Sequence, residues 1–211
     1  MLSQYLSLNL QQQLSQITKH GFCVMDNFIS PTNILALAAE INLLNATSQM
    51  QIANTGRVPS DTNSNLRGDS IFWLNEAEAS PAQQAYFEKM EDLRCGLNQR
   101  LYLGLFSLES HLALYPIGAG YQKHLDQFIG QEDRKVSAIL YLNQEWKSED
   151  GGQLRIYLDK TNDHSTIDIS PEAGTLVVFL SRDFLHEVLP AKRERLSITG
   201  WFRTRNITST T

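Results

Sequence analysis

Apolar residues follow a helical period in the first half of the chain and a period of two in the second. Leu10, Leu14 and Ile17 share one face of a predicted helix that Gly21 ends. GFCVMDNF (21–28) then reads as a strand. Ser30-Pro31 is a start signal, with a capping hydroxyl followed by proline at the first helical position, and Ile34, Leu37, Ala38, Ile41 and Leu44 continue the stripe. Ser80-Pro81 repeats the signal ahead of Tyr86, Met90, Leu93, Leu97 and Leu101. Between these helices, residues 46–67 are polar and rich in Asn, Ser and Thr, a loop long enough to suggest a function, and RGDSIFWL (67–74) restores a strand.

From about residue 107 the alternation persists. Strands are predicted at 107–116, 121–126, 135–142, 153–158, 174–180, 185–190 and 195–202, with polar, Gly- or Pro-marked turns between them. The fold class is therefore mainly β with flanking helices, a sandwich or jelly roll. One domain is expected over 1–203, with helical support mainly in 1–105, barrel core mainly in 107–203, and a polar tail at 204–211.

Composition narrows the function classes. The chain has 211 residues, 42% hydrophobic and 9% aromatic, enough for one sizeable core. A net charge of −5 argues against a broad phosphate-binding surface and hence against a nucleic-acid partner. No apolar run approaches the length of a membrane span, and the first residues lack a secretory leader's pattern, so a cytoplasmic location is expected. Cys23 and Cys95 form no CxxC and are expected to be reduced thiols.

His124 and Asp126 stand two apart on a predicted strand, where both side chains leave one face. Alone, the pair is better read as a strand-edge imidazole bonded to a neighbouring acid. His186, 60 residues beyond Asp126 and just after the strand GTLVVFL, changes that. Two imidazoles and one carboxylate on one face of an octahedron are the ligand set of non-haem Fe(II) oxygenases, whereas zinc favours a closed tetrahedron or three ligands and water. Arg195, nine residues further, alternates with Ser197, Thr199 and Trp201 on one face of RLSITGWFR. Facing inward, its guanidinium would need an anion, and a ligand carboxylate held in two places would supply one. Tyr141 is placed either to donate to the same carboxylate or to serve as a core aromatic. His20, His111 and His164 show no partner pattern and are expected to be structural or exposed.

The segments ALYPIGAGYQKHLDQF (113–128), VSAILYLNQEW (136–146), GGQLRIY (151–157), GTLVVFLSRDFLHEVLPA (174–191) and RLSITGWF (195–202) together resemble the 2-oxoglutarate- and Fe(II)-dependent prolyl hydroxylases. With LRGDSIFWL (66–74), the resemblance is to the branch of the hypoxia-inducible-factor prolyl hydroxylases and their bacterial relatives, and it covers about 20–203. It implies a double-stranded β-helix and hydroxylation of a peptidyl proline at C4, with O2 consumed and succinate and CO2 released. His124, Asp126 and His186 would be iron ligands. Arg195 would bind the distal carboxylate of 2-oxoglutarate, helped by Tyr141, with Tyr115 and Thr199 as polar contacts and Ile139, Leu154 and Trp201 lining the pocket. Tyr121 and Arg134 would face the peptide, and loop 52–66 would close over it. Ascorbate is a candidate reductant. A proline-bearing translation protein, elongation factor Tu, is the candidate partner.

Asp126 fills the position that related halogenases leave open for halide, which favours hydroxylation. Nucleic-acid demethylases of the superfamily carry a second Arg six residues after the anchoring one, where this chain has Trp201. A small-molecule oxygenase and a non-catalytic metal-binding sensor remain as alternatives. Oligomeric state and a role in oxygen sensing stay open.

Overall fold

The computed structural model describes residues 8–53, 67–127 and 132–205. Three helices, α1 (Leu8–His20), α2 (Pro31–Ala46) and α3 (Pro81–Leu101), start and pack as their stripes predict. The Ser30 and Ser80 hydroxyls accept from the backbone amides of Asn33 and Gln83 at 3.3 and 3.2 Å, satisfying donors that a helix start otherwise leaves unpaired. Asn98 clamps the end of α3 to the next strand, donating to Leu105 O at 2.8 Å and accepting from Leu105 N at 2.7 Å. No described helix is long and apolar enough to cross a membrane.

The strands are β1 (Phe22–Met25), β2 (Gln51–Ile52), β3 (Ser70–Trp73), β4 (Leu105–Tyr115), β5 (Tyr121–His124), β6 (Arg134–Tyr141), β7 (Leu154–Tyr157), β8 (Thr166–Ile169), β9 (Leu176–Leu180), β10 (His186–Val188) and β11 (Arg195–Thr204). They form a seven-stranded sheet, β1-β9-β6-β11-β4-β3-β2, facing a four-stranded one, β5-β10-β7-β8. The period-two alternation divides the large sheet between two cores. Leu112, Leu140, Val178, Ile198 and Phe202 point outward and bury against α1–α3. Tyr115, Ile139, Tyr141, Val177 and Phe179 point inward and meet Leu154, Ile156, Ile169 and Val188 of the small sheet. Two antiparallel sheets around one interior, with helices on the outside, make the expected double-stranded β-helix.

Four local expectations need correction. β5 ends at His124, so Asp126 lies beyond the strand in a bend, not on its face. The strand expected over 21–28 stops at Met25, because the chain turns at Asn27, whose φ of 54° is left-handed. β8 was not predicted: Thr166 and Ile167 are half-buried, Asp168 is exposed and only Ile169 is buried, too weak an alternation on an edge strand. β2 lies within the segment read as loop and pairs with β3 through Gln51 and Ile52. The expected closing loop falls mainly at 54–66, and most of the polar tail at 206–211, both outside the described residues.

Candidate active site

His124 closes β5 and His186 opens β10, directly opposite each other in an antiparallel pair, with ring centroids 4.2 Å apart. Asp126 reaches the same point from the bend, its Oδ1 3.6 Å from His124 Nε2 and its Oδ2 3.7 Å from His186 Nε2. One donor atom from each of the three lies within 4.8 Å of the others, a cluster that could hold a metal ion. The rings are already oriented for it. His124 Nδ1 stands 2.7 Å from Gln122 O and His186 Nδ1 3.1 Å from Phe184 O. A carbonyl only accepts, so each Nδ1 carries a proton, and it is Nε2 of each ring that is turned toward the shared centre.

The local charges favour the ligating protonation states. Burial pushes His186 down to about 4, against the opposing pull of Asp126, so the ring stays neutral well below neutral pH. Burial alone would raise the Asp126 pKa, but the attraction of the His186 and His124 rings when they are charged, and a hydrogen bond from Ser137, outweigh it and hold the carboxyl well below the usual range. Phe179 packs edge-on against His186 at 4.8 Å, and Tyr121 stacks on His124 at 3.6 Å.

Arg195 enters the same interior from the start of β11 and is only 1% exposed. Its Nε donates to Gly152 O at 2.9 Å and its Nη1 to Ser197 Oγ at 3.5 Å, both neutral. Among the described residues Nη2 has no hydrogen-bond partner, and neither does the buried hydroxyl of Tyr141, whose ring lies 4.9 Å from the guanidinium. Burial pushes the Tyr141 phenol up to about 12 despite Arg195 nearby, so it remains an O–H donor. Two buried donors thus lack a partner among the described residues, a costly arrangement unless a ligand completes it. Tyr115 borders the guanidinium at 5.1 Å.

The YLNxxW segment builds the support for Arg195. Asn143 accepts from Leu196 N at 2.6 Å and donates to Leu196 O at 3.1 Å, fixing the residue beside the arginine. Trp146 Nε1 donates to Gly151 O at 3.0 Å, holding the turn that presents Gly152 O. Gly152 has φ +70°, and a Cβ there would stand 2.9 Å from Ala191 Cβ and 3.3 Å from Arg195 Cδ, so the position requires glycine.

Beyond the triad, one wall of the interior is aromatic and charged. Trp201 lies under Arg134, whose guanidinium carbon is 3.9 Å from the ring, and beside His111 at 5.4 Å. Trp73, half exposed, packs on His111 at 4.9 Å. Arg134 donates to Glu109 at 2.7 Å, and Arg67 pairs with the buried Asp69 at 2.5 Å while lying 5.0 Å from the Tyr121 ring. His111 is buried, and burial, reinforced by Arg67 and Arg134 against the weaker pull of Asp126, pushes it down to about 3. The unfolded chain protonates this histidine near 6.5, the native one only near 3, so acidification penalises the native state from about pH 6.5 downward. A His111→Leu variant is therefore expected to lose about 2 kcal/mol less stability than the parent between pH 8 and pH 5 in urea titrations. Parallel losses in the two proteins would contradict this burial of a neutral ring.

The comparisons with known proteins agree with this geometry. The 2OG-Fe(II) oxygenase superfamily model matches residues 110–203, which include the triad and Arg195. A prolyl-4-hydroxylase structure from Pseudomonas putida is 42% identical with a TM-score of 0.83, over 93% of this chain and 100% of that one. The chain belongs to the 2-oxoglutarate- and Fe(II)-dependent oxygenases, close to the prolyl hydroxylases. A Trichoplax adhaerens prolyl hydroxylase, solved with a peptide fragment of the hypoxia-inducible-factor oxygen degradation domain, is 27% identical with a TM-score of 0.80, over 95% and 94% of the two chains. Human Egl nine homolog 1 is 31% identical over 93% of this chain and 47% of its own length. The chain spans about half the length of the curated Egl nine relatives it matches.

For an oxygenase of this family, Fe(II) and 2-oxoglutarate are the groups to be held. Tyr115, Ile139, Tyr141 and Leu154 lie in the interior cluster between the sheets, while half-buried Thr199 sits on β11 between Ile139 and His111. Trp201, on the same alternation of β11, packs with His111 and Trp73. Tyr121 and Arg134 both stand beside the triad or that wall, though Arg134 is also committed to Glu109. His20 and His164 are exposed at a helix end and in a turn. Sequence reasoning assigned nothing to the Arg67–Asp69 pair, to Asn143 or to Trp146. The LRGD and YLNxxW strings were the available signal for all four.

Proposed function

We propose that this protein is a peptidyl prolyl 4-hydroxylase in which His124, Asp126 and His186 hold Fe(II) and Arg195 anchors 2-oxoglutarate. The observation that carries the reading is the Arg195 guanidinium, buried beside the Tyr141 hydroxyl with Nη2 and that hydroxyl both lacking partners among the described residues. A dicarboxylate fits this donor set: one carboxylate would meet Arg195 and Tyr141, leaving the 2-oxo acid end for the metal. The triad fits a divalent cation equally well, with two imidazole Nε2 atoms and a carboxylate converging.

Bound Fe(II) and 2-oxoglutarate supply the oxidising chemistry, in which O2 places one atom on the proline C4 carbon and the other in succinate as CO2 leaves. The chain's own residues bind, orient and exclude water. Arg195 supplies a fixed charge that needs no reorganisation, and the apolar surfaces of Ile139, Leu154 and Val177 keep the cosubstrate end of the interior dry. Tyr121, Arg134, Trp73 and Trp201 form the wall against which an extended peptide would lie. Similarity to a prolyl hydroxylase solved with a peptide supports a protein substrate. Elongation factor Tu, the partner the resemblance suggests, is the first protein to test.

The test incubates purified elongation factor Tu, and separately total protein from cells lacking this enzyme, with the protein, Fe(II), 2-oxoglutarate and air. Peptide mass spectrometry is expected to find one added oxygen on a defined proline, absent when a His186→Ala variant is used. Modification confined to another residue type would overturn the proline assignment. Turnover of 2-oxoglutarate with no protein modified would favour a small-molecule substrate.

A further inference from the structure

Each imidazole of the triad is aimed by the main-chain carbonyl two residues before it, whereas the Asp126 carboxylate takes its hydrogen bond from a side chain. It lies past the end of β5 in a bend, and residues 128–131 that follow are outside the described structure. Its carboxylate is instead gripped from the opposite sheet. Ser137, on the inward face of β6, places Oγ 2.6 Å from Asp126 Oδ2. Ser181, one residue past the end of β9, places its Oγ 2.9 Å from Ser137 Oγ. Both serines are fully buried, and the Ser181 amide donates to Lys135 O at 3.0 Å, so their positions are set by the sheet.

The direction of these bonds follows from proton inventory. Ionised Asp126 can only accept, so the single Ser137 hydroxyl proton goes to Oδ2. Ser137 must then accept from Ser181, and the relay runs Ser181 to Ser137 to Asp126. A hydroxyl that itself accepts a hydrogen bond donates more strongly. The carboxylate is thereby held by one oxygen, which leaves Oδ1, 3.6 Å from His124 Nε2, directed at the shared centre.

We infer that Ser137 and Ser181 are positioning residues for the metal, a hydroxyl relay that fixes Asp126 as a one-oxygen ligand and thereby sets metal affinity. This rests on the triad being the metal site. Neither serine touches metal, cosubstrate or peptide in this account. Each acts through the carboxylate. Losing such an outer partner typically lowers metal affinity by about 10–100-fold, and Ser181, one bond further out, should matter less than Ser137.

The experiment titrates Mn(II) into the full chain, without 2-oxoglutarate, by electron paramagnetic resonance of free metal, and records the visible spectrum of the Co(II) form. Ser137→Ala is expected to weaken Mn(II) binding by about 10–100-fold and to shift the Co(II) bands as the freed oxygen joins the coordination. Ser181→Ala should weaken binding by a smaller factor, and Ser137→Thr, which restores a hydroxyl in a strand-compatible residue, should recover both affinity and spectrum. If Ser137→Ala does not fold, Ser181→Ala and Ser137→Thr still decide: wild-type affinity in Ser181→Ala would then overturn the relay. A folded Ser137→Ala with wild-type affinity and spectrum would overturn it outright. Failure of the unaltered protein to bind Mn(II) would instead overturn the metal site on which the relay depends.

Discussion

An Arg195→Met variant is expected to lose 2-oxoglutarate binding by at least about 30-fold while melting at the parent's temperature or above. The two effects have one cause. In the ligand-free protein the guanidinium is buried with neutral partners only, at Gly152 O and Ser197 Oγ, and with Nη2 unpaired. Removing such a charge and refilling its volume with an apolar chain relieves a desolvation cost. In the complex the same group would be half of a buried, hydrogen-bonded charge pair, and truncating one partner of such a pair costs roughly 2–5 kcal/mol. Calorimetric titration of 2-oxoglutarate into the Mn(II) form, which avoids turnover, measures the first effect, and a thermal melt of the metal-free protein the second. Arg195→Lys should recover only part of the affinity, because a single ammonium cannot reproduce the fork. Unchanged affinity in Arg195→Met would place the cosubstrate anchor elsewhere.

Saturating Mn(II) should raise the melting temperature of the parent by about 5–10 °C, and of a His124→Ala variant hardly at all. A metal at about 100 times its Kd stabilises the native state by about 2.7 kcal/mol, and a chain of this size shifts by about 2–4 °C per kcal/mol. The gain arises because Asp126 is ionised in a buried setting where Ser137 donates to one oxygen, and the cation completes its pairing. His124 is the better ligand to remove for this purpose. Its side chain is 17% exposed against 4% for His186, so truncation there opens less of a hole in the interior. Equal melting shifts in the two proteins would mean that the metal binds outside the triad.

The large features of this molecule were written in its apolar spacing because burial is what that spacing encodes. Leu14, Ile17, Ile34, Leu37, Tyr86, Met90 and Leu93 all lie in the helix-facing core, and the inward set of β11 contains Arg195, Ser197 and Trp201 as alternation requires. The triad was legible for a different reason, since metal chemistry permits few residue types at few spacings. What the sequence concealed depends on contacts between distant segments. Asp126 lies in a bend rather than on a strand, and its bond to Ser137 of another strand exists only in the folded chain. His111 carried no ligand spacing, and its burial between Trp73 and Trp201 follows only from the pairing of β3, β4 and β11. Asn143 and Trp146 form a recognisable string, yet their work on Leu196 and Gly151 becomes visible only when the chain is closed.

The most direct test measures hydroxyproline and succinate in one reaction. The full chain is supplied with Fe(II), 2-oxoglutarate, O2 and a proline-bearing protein in which the modified site has been located. Hydroxyproline and succinate should accumulate in equal amounts, and both should vanish in Asp126→Ala and Arg195→Met. Succinate formed at the same rate with and without the protein substrate, or hydroxylation that survives loss of Asp126, would contradict the account.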